Sequence, residues 1–401
     1  MAGQKARPSR SPLAIAATVV LVFVAGGVVG GFVGRATDHG ASTSSSGDRA
    51  GGATSSTTTT SSSSTTTVPV APLSVASVSP TDGATEVAAD TPVTVTMSAP
   101  LSQSSPLPTL QPTTPGSWRT QGDSFIFTPS TDFLPLSDET VTVPGGGGGV
   151  VGASGGHLGR SMTETFHVAN GSLVRLQQLL SLLDYSPLKW VPARSPISAT
   201  DSRAQIAALY KPPGGTFVWR ARTWPALLLA MWQPGVDNVF TRGLVMSFQA
   251  DHALIPNGAI VASLWSSLLS ALASGDLNTG GYNYALANKA VPESLTVYHD
   301  GVAVVETQAN TGIGDSPTPD GTFPVFERLR RQVMRGNNPD GSSYADLVQY
   351  IAYFDGNDAV HYMDRADYGI PQSLGCIELP LASAARVWPY LAYGTLVPII
   401  N

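Results

Sequence analysis

The sequence predicts a multidomain chain: an N-terminal transmembrane helix, a β-sandwich, a small α-helical domain and a C-terminal mostly-β domain. Three observations carry this. An uncharged apolar run fills 11–34, a Ser/Thr tract follows it, and beyond residue 72 the apolar period runs from two to helical and back to two. The boundaries read as a tail 1–10, a span 11–34, a linker 35–71, a sandwich 72–168, a helical domain 172–275 and a final domain 280–401. Charged residues make up only 12%, with 22 basic against 28 acidic and a net charge of −6. That balance offers no basic stripe, which argues against a nucleic-acid partner. Gly 41 and Pro 31 point to turn-rich β modules.

Lys5, Arg7 and Arg10 precede the apolar run, and Leu13 to Val33 is long enough to cross ~30 Å of hydrocarbon. Basic residues on the N-terminal side predict a cytoplasmic N-terminus and an exported remainder, single-pass in the cell membrane. No A-x-A-like site follows cleanly, which favours an uncleaved signal-anchor; cleavage of a signal peptide is the alternative. Residues 41–67 are almost entirely Ser, Thr, Gly and Ala and cannot bury apolar surface, so they read as a disordered tether. A flexible tether of that length spans roughly 25–30 Å.

Short alternating strands then recur between turn signals, among them TPVTVTMS, SFIFTP, ETVTVP and TETFHV. This segment resembles the immunoglobulin-like modules of bacterial surface proteins. Gly145–Gly149 lacks a following Gly-Lys-Ser/Thr and is read as a hairpin loop, with no phosphate chemistry. From Ser172 the period becomes helical. Leu173, Leu176, Leu180 and Leu183 form one stripe, Thr241 to Asp251 a second helix, and Leu264, Leu268 and Leu272 a third. These stripes are core by spacing alone. The segment resembles a three-helix peptidoglycan-binding module with an insertion at 186–232, and glycan binding is implied by that resemblance only.

In the last domain, strands at 295–298 and 302–307 meet through Asp300-Gly301. Residues 327–345 are charged and Gly/Asn-rich and read as a loop or lid. Strands at 347–354 and 359–362 place His361 at a strand end, and the chain closes on a strand at 394–400.

His361 to Leu379 holds the candidate chemistry. Cys376 is the only cysteine, so it forms no internal disulfide and makes a poor zinc site; no metal or cofactor is expected. It is either a buried small hydrophobe or a nucleophile activated by a nearby base, for which His361 lies fifteen positions upstream. The consecutive amides of Leu374, Gly375 and Cys376 suit a developing oxyanion.

His361, followed by Ser373-Leu374-Gly375-Cys376-Ile377, with Asn310-Thr311-Gly312 and Thr318-Pro319-Asp320-Gly321-Thr322-Phe323 upstream, resembles the YkuD-type L,D-transpeptidases, in an actinobacterial form. The resemblance implies a Cys376 nucleophile and a His361 general base oriented by a backbone carbonyl. Positioning roles fall to Ser373 and Tyr362. It also implies peptidoglycan stem peptides and glycan as partners, release of D-Ala from a tetrapeptide donor, and carbapenem-type β-lactams as covalent inhibitors. Three positions depart from the family pattern: Tyr362 stands for a glycine, Leu374 for a histidine and Glu378 for an arginine. The last bears on substrate handling, and Arg328, Arg330, Arg331 and Arg335 are the cationic candidates to offset the missing arginine. An L,D-carboxypeptidase and an inactive wall-binding scaffold are the alternatives.

Overall fold

The structure, a computed structural model, describes residues 70–401. The expected tail 1–10, the span 11–34 and all but the end of the linker lie outside the described residues. Among the described residues no helix is long and apolar enough to cross a membrane.

Residues 75–167 form two facing sheets. β1 (Val75–Ser79), β2 (Val93–Met97), β4 (Gly116–Gln121) and β5 (Ser124–Pro129) pair in the order β1-β2-β5-β4. β3 (Thr109–Gln111), β6 (Asp138–Val143) and β7 (Met162–His167) pair in the order β3-β6-β7. Alternation does the sorting: Val93, Val95 and Met97 face inward with Phe125, Phe127, Val141, Val143 and Phe166. Each such side chain contributes about 1.5–3 kcal/mol on burial. This is the expected sandwich.

The helical region contains more than three helices. α1 (Leu173–Leu182), α4 (Val239–Asp251) and α5 (Ala262–Ser274) match the three apolar stripes. Between α1 and α4 the chain adds a hairpin of β8 (Leu188–Pro192) with β9 (Gly215–Trp219), and the helices α2 (Ser202–Tyr210) and α3 (Ala226–Met231). Its core is shared with the C-terminal domain, because Tyr282, Tyr284 and Leu396 pack among Leu176, Leu180, Phe240, Leu244 and Trp265. At this joint the backbones of Gly243 and Gly394 approach so closely that a Cβ on Gly243 would lie 2.7 Å from the Gly394 carbonyl oxygen. Ser247 Oγ donates to the Tyr393 carbonyl at 2.8 Å beside it.

The C-terminal domain contains two sheets. One has the order β12-β11-β10-β18-β13, from β10 (Asn283–Asn288), β11 (Ser294–His299), β12 (Val302–Gln308), β13 (Gly321–Pro324) and β18 (Leu396–Ile400). The other has the order β14-β15-β16-β17, from β14 (Glu327–Asn337), β15 (Ser343–Asp355), β16 (Asp358–Tyr362) and β17 (Ile377–Leu379). Ala285, Leu295 and Val297 of the first sheet bury against Ala352, Val360, Ile377 and Leu379 of the second. The helix α6 (Leu381–Val387) follows β17, with Ala384 and Val387 in the same core. Residues 327–345, expected as a loop, are instead most of a long hairpin. Ten residue pairs from Glu327↔Tyr353 to Asn337↔Ser343 hold it, so cross-strand pairing prevails over the low β-propensity of its Arg, Gly and Asn.

Candidate functional site

β16 and β17 run parallel, with Val360 opposite Ile377 and His361 opposite Glu378. Side chains alternate along each strand, so Val360, Ile377 and Leu379 enter the core while His361, Glu378 and, two residues before it, Cys376 share the other face. That face opens on a cavity of about 840 Å³ lined by His361, Cys376, Arg365, Asp358, Leu374 and residues of the β14–β15 hairpin. The two candidate catalytic side chains are thus brought to one cavity, His361 on β16 and Cys376 directly before β17.

The loop carrying Cys376 is fixed by hydroxyls. Ser316 Oγ donates to the Leu374 carbonyl at 3.0 Å, Thr318 Oγ1 to that of Gly375 at 2.8 Å, and Ser373 Oγ to that of Cys376 at 2.6 Å. Three successive carbonyls are therefore tied back. Thr318 Oγ1 also accepts the Gly312 N–H at 2.8 Å, while buried Glu293 accepts both the N–H and the hydroxyl of Thr311 at 2.6 Å. Asn310 Oδ1 accepts the Gly369 N–H at 2.9 Å. The upstream motif thus braces the loop that carries Cys376. Its two halves do not pair with each other: Asn310 bridges Glu378, Gly312 bridges Ser373, and Gly321–Pro324 pairs with β18.

Of the three expected oxyanion amides, Gly375 N–H is directed at Ser373 Oγ at 3.2 Å. Gly375 itself has φ +121°, and a Cβ there would lie 2.3 Å from Asp358 Oδ1. Gly375→Ala should therefore cost about 2–3 kcal/mol of stability. Displacing the neighbouring sulfur should slow acylation by a carbapenem roughly 100-fold, read by stopped-flow fluorescence.

His361 is 3% exposed, and its Nδ1 lies 2.9 Å from the Tyr362 carbonyl oxygen. Donation from Nδ1–H leaves the Nε2 lone pair as the basic position. Tyr362 contributes that carbonyl, while its side chain packs against the sheet core. Burial lowers the pKa of His361, with the Tyr362 carbonyl and Glu378 opposing and Arg365 adding to the shift. Cys376 is half-buried, and its Sγ lies 3.8 Å from the Asn357 carbonyl oxygen. Desolvation pushes its thiol up to about 12, against the Ala359 N–H, with Asp358 and Glu378 pushing further. Both shifts favour the uncharged forms at rest, a thiol and a neutral imidazole on one cavity wall.

Glu378 is 4% exposed and receives Arg365 through two bonds of 2.7 Å, Nε to Oε2 and Nη2 to Oε1. The carboxylate standing where the resemblance implies an arginine is thus neutralised by an arginine from the loop before it. None of the four arginines named from sequence fills this place. Arg328 lies 4.3 Å over the Trp388 ring and donates to its carbonyl, and Arg330 lies 4.8 Å over Tyr350. Arg335 lines the cavity from the hairpin, and Arg331 is exposed on β14. Arg365→Leu should lower stability by about 2–4 kcal/mol by leaving Glu378 buried and unpaired. The double variant Arg365→Leu/Glu378→Leu should recover most of that loss in chemical denaturation.

Residues 283–399 match the family model of the YkuD L,D-transpeptidase catalytic domain, and residues 69–168 that of the bacterial Ig-like domain. No curated protein matches the chain. Among solved structures, an L,D-transpeptidase from Mycobacterium smegmatis aligns at 15% identity over 82% of this chain and 99% of its own, with a TM-score of 0.28. L,D-transpeptidase 3 from Mycobacterium tuberculosis, in complex with a faropenem-derived adduct, aligns at 16% over 82% and 98%, with a TM-score of 0.28. The catalytic domain of the Enterococcus faecium L,D-transpeptidase aligns at 27% over 29% and 95%, with a TM-score of 0.27. The assignment rests on the two family models. The chain carries a YkuD-family L,D-transpeptidase catalytic domain at 283–399, behind a bacterial Ig-like domain at 69–168.

Proposed function

We propose that this chain is a cysteine-dependent peptidoglycan L,D-transpeptidase, with Cys376 as nucleophile and His361 as general base. The observation that carries this reading is the shared cavity face of Cys376 and His361, with Nδ1 of His361 tied to the Tyr362 carbonyl. As Sγ attacks the carbonyl carbon between the L- and D-centres of a stem tetrapeptide, its proton passes to His361 Nε2. The oxyanion is held by the Leu374 and Cys376 amides, and by Gly375 once its bond to Ser373 is released. The imidazolium then protonates the amine of the departing D-Ala, the C–N bond breaks and a thioester remains. An acceptor amine attacks that thioester and gives a proton to His361. The new C–N bond forms as the C–S bond breaks, and the imidazolium returns the proton to sulfur.

Ser373 serves by fixing the loop, and Tyr362 through its backbone. The family match at 283–399 supports the reaction class. Carbapenem-type β-lactams are proposed as covalent inhibitors. We assign residues 172–275 to a peptidoglycan-binding-like role and residues 11–34 to a single-pass anchor, with the remaining domains outside the membrane. Sedimentation with insoluble peptidoglycan checks the first, and loss of membrane association on deleting 1–34 checks the second.

The reaction is tested with a tetrapeptide donor and an amine acceptor, following D-Ala release and product mass. Cross-linked product with equimolar D-Ala is expected. D-Ala release with tripeptide alone would make the enzyme an L,D-carboxypeptidase, and no release at all would leave the scaffold reading.

A further inference from the structure

Asp358 begins β16, directly after the Asp355–Gly356–Asn357 turn that closes the β15–β16 hairpin. Its register places it beside the Cys376 loop, and its carboxylate lies over Gly375, on the side where any other residue would carry a Cβ. The neighbouring Asn357 supplies the carbonyl nearest Sγ. Asp358 lines the same cavity as Cys376 and is half-buried.

Among the described residues its carboxylate receives no side-chain or backbone hydrogen bond and forms no ion pair within 4 Å. Every other acidic group on this wall is accounted for differently. Glu378 is neutralised by Arg365, and Asp346 lies on the hairpin strand near that guanidinium. Arg335, the remaining cation of the cavity wall, is exposed on β14. Burial and Asp355 raise the Asp358 pKa to about 6, and Asp358 in turn raises the thiol of Cys376. An unpaired carboxylate next to a nucleophilic sulfur disfavours the thiolate and is costly to desolvate. A cationic ligand at the same spot relieves both effects.

The order along the strands sets a polarity. Asp358 and Gly375 lie at one end, Cys376 follows, and His361 lies level with Glu378 and its partner Arg365 at the other end. The charge left uncompensated is the carboxylate at the Asp358 end.

We infer that Asp358 binds the ammonium form of the acceptor amine, making its end of the cavity the acceptor site for primary amines. This rests on the reading of the chain as a thioester-forming transpeptidase and adds the residue that selects the acceptor. Asp358 acts before chemistry: it gathers the ammonium beside the thioester, the ammonium gives one proton to solvent water, and the free amine attacks and passes its second proton to His361.

The test uses the full-length protein, a tetrapeptide donor and two competing acceptors. One is the side-chain amine of Nα-acetyl-lysine amide, cationic at neutral pH; the other is hydroxylamine, uncharged there. In Asp358→Asn the ratio of transfer to the lysine amine over transfer to hydroxylamine should drop about tenfold, as expected for loss of one charge-assisted contact. Asp358→Glu should restore part of the ratio, which a merely structural role would not do. An unchanged ratio, or an equal fall in both transfers that Asp358→Glu does not reverse, overturns the assignment. Absence of any acyl-enzyme on the wild-type protein after imipenem overturns the underlying transpeptidase reading, and intact mass reports it separately.

Discussion

Cys376→Ala should abolish D-Ala release from a tetrapeptide donor, lowering kcat/KM by roughly 10⁴-fold or more. Removing a covalent nucleophile takes away the intermediate itself, so no neighbouring group can take over the thioester. The fold should tolerate the change. Cys376 is half-buried at the cavity wall, its carbonyl stays tied to Ser373 Oγ, and its sulfur meets only backbone groups, the Asn357 carbonyl at 3.8 Å and the Ala359 N–H. A variant that keeps its denaturation midpoint and loses turnover separates catalysis from stability. Retained D-Ala release would remove Cys376 from the mechanism.

His361→Gln carries the second largest expected effect, a loss of about 10²–10⁴-fold in acylation. Its pH profile tests the resting protonation state. Burial lowers the His361 pKa, so the neutral imidazole persists to more acid pH than a free histidine, whose ordinary value is about 6.5. The acid limb of kcat/KM should therefore fall below that value. The thiol, pushed up to about 12, should give no thiolate absorbance at neutral pH. The proton then moves during attack and not before it. A thiolate signal persisting into acid would instead indicate a preformed thiolate–imidazolium pair.

The candidate pair that shares the cavity could be named from sequence because a single cysteine, a histidine before it and a Gly beside the sulfur are local features. The sandwich was legible for a similar reason: alternation over 93–97 and 138–143 maps directly onto inward and outward faces. What pairs across loops was not. Glu378 reads in isolation as the loss of a cation, and only the return of the 363–372 segment brings Arg365 onto it. No spacing rule links residues thirteen apart through an irregular loop. Thr318 likewise reads as a turn residue, yet it joins Gly312 to Gly375.

The helical region had the opposite difficulty. Its three apolar stripes gave α1, α4 and α5, but stripes do not state what they pack against. Leu396 and Tyr284 come from strands far along the chain, and the 186–232 insertion supplies a hairpin whose Trp190 and Phe217 rings lie 4.8 Å apart. These are long-range contacts, set by the assembled domain and not by local period.

The most direct measurement is the intact mass and peptide map of the full-length protein after imipenem, beside Cys376→Ala. A single stoichiometric adduct mapping to the peptide that holds Cys376, absent from the variant, is the predicted result. An adduct on any other residue, or equal labelling of the variant, would contradict the account.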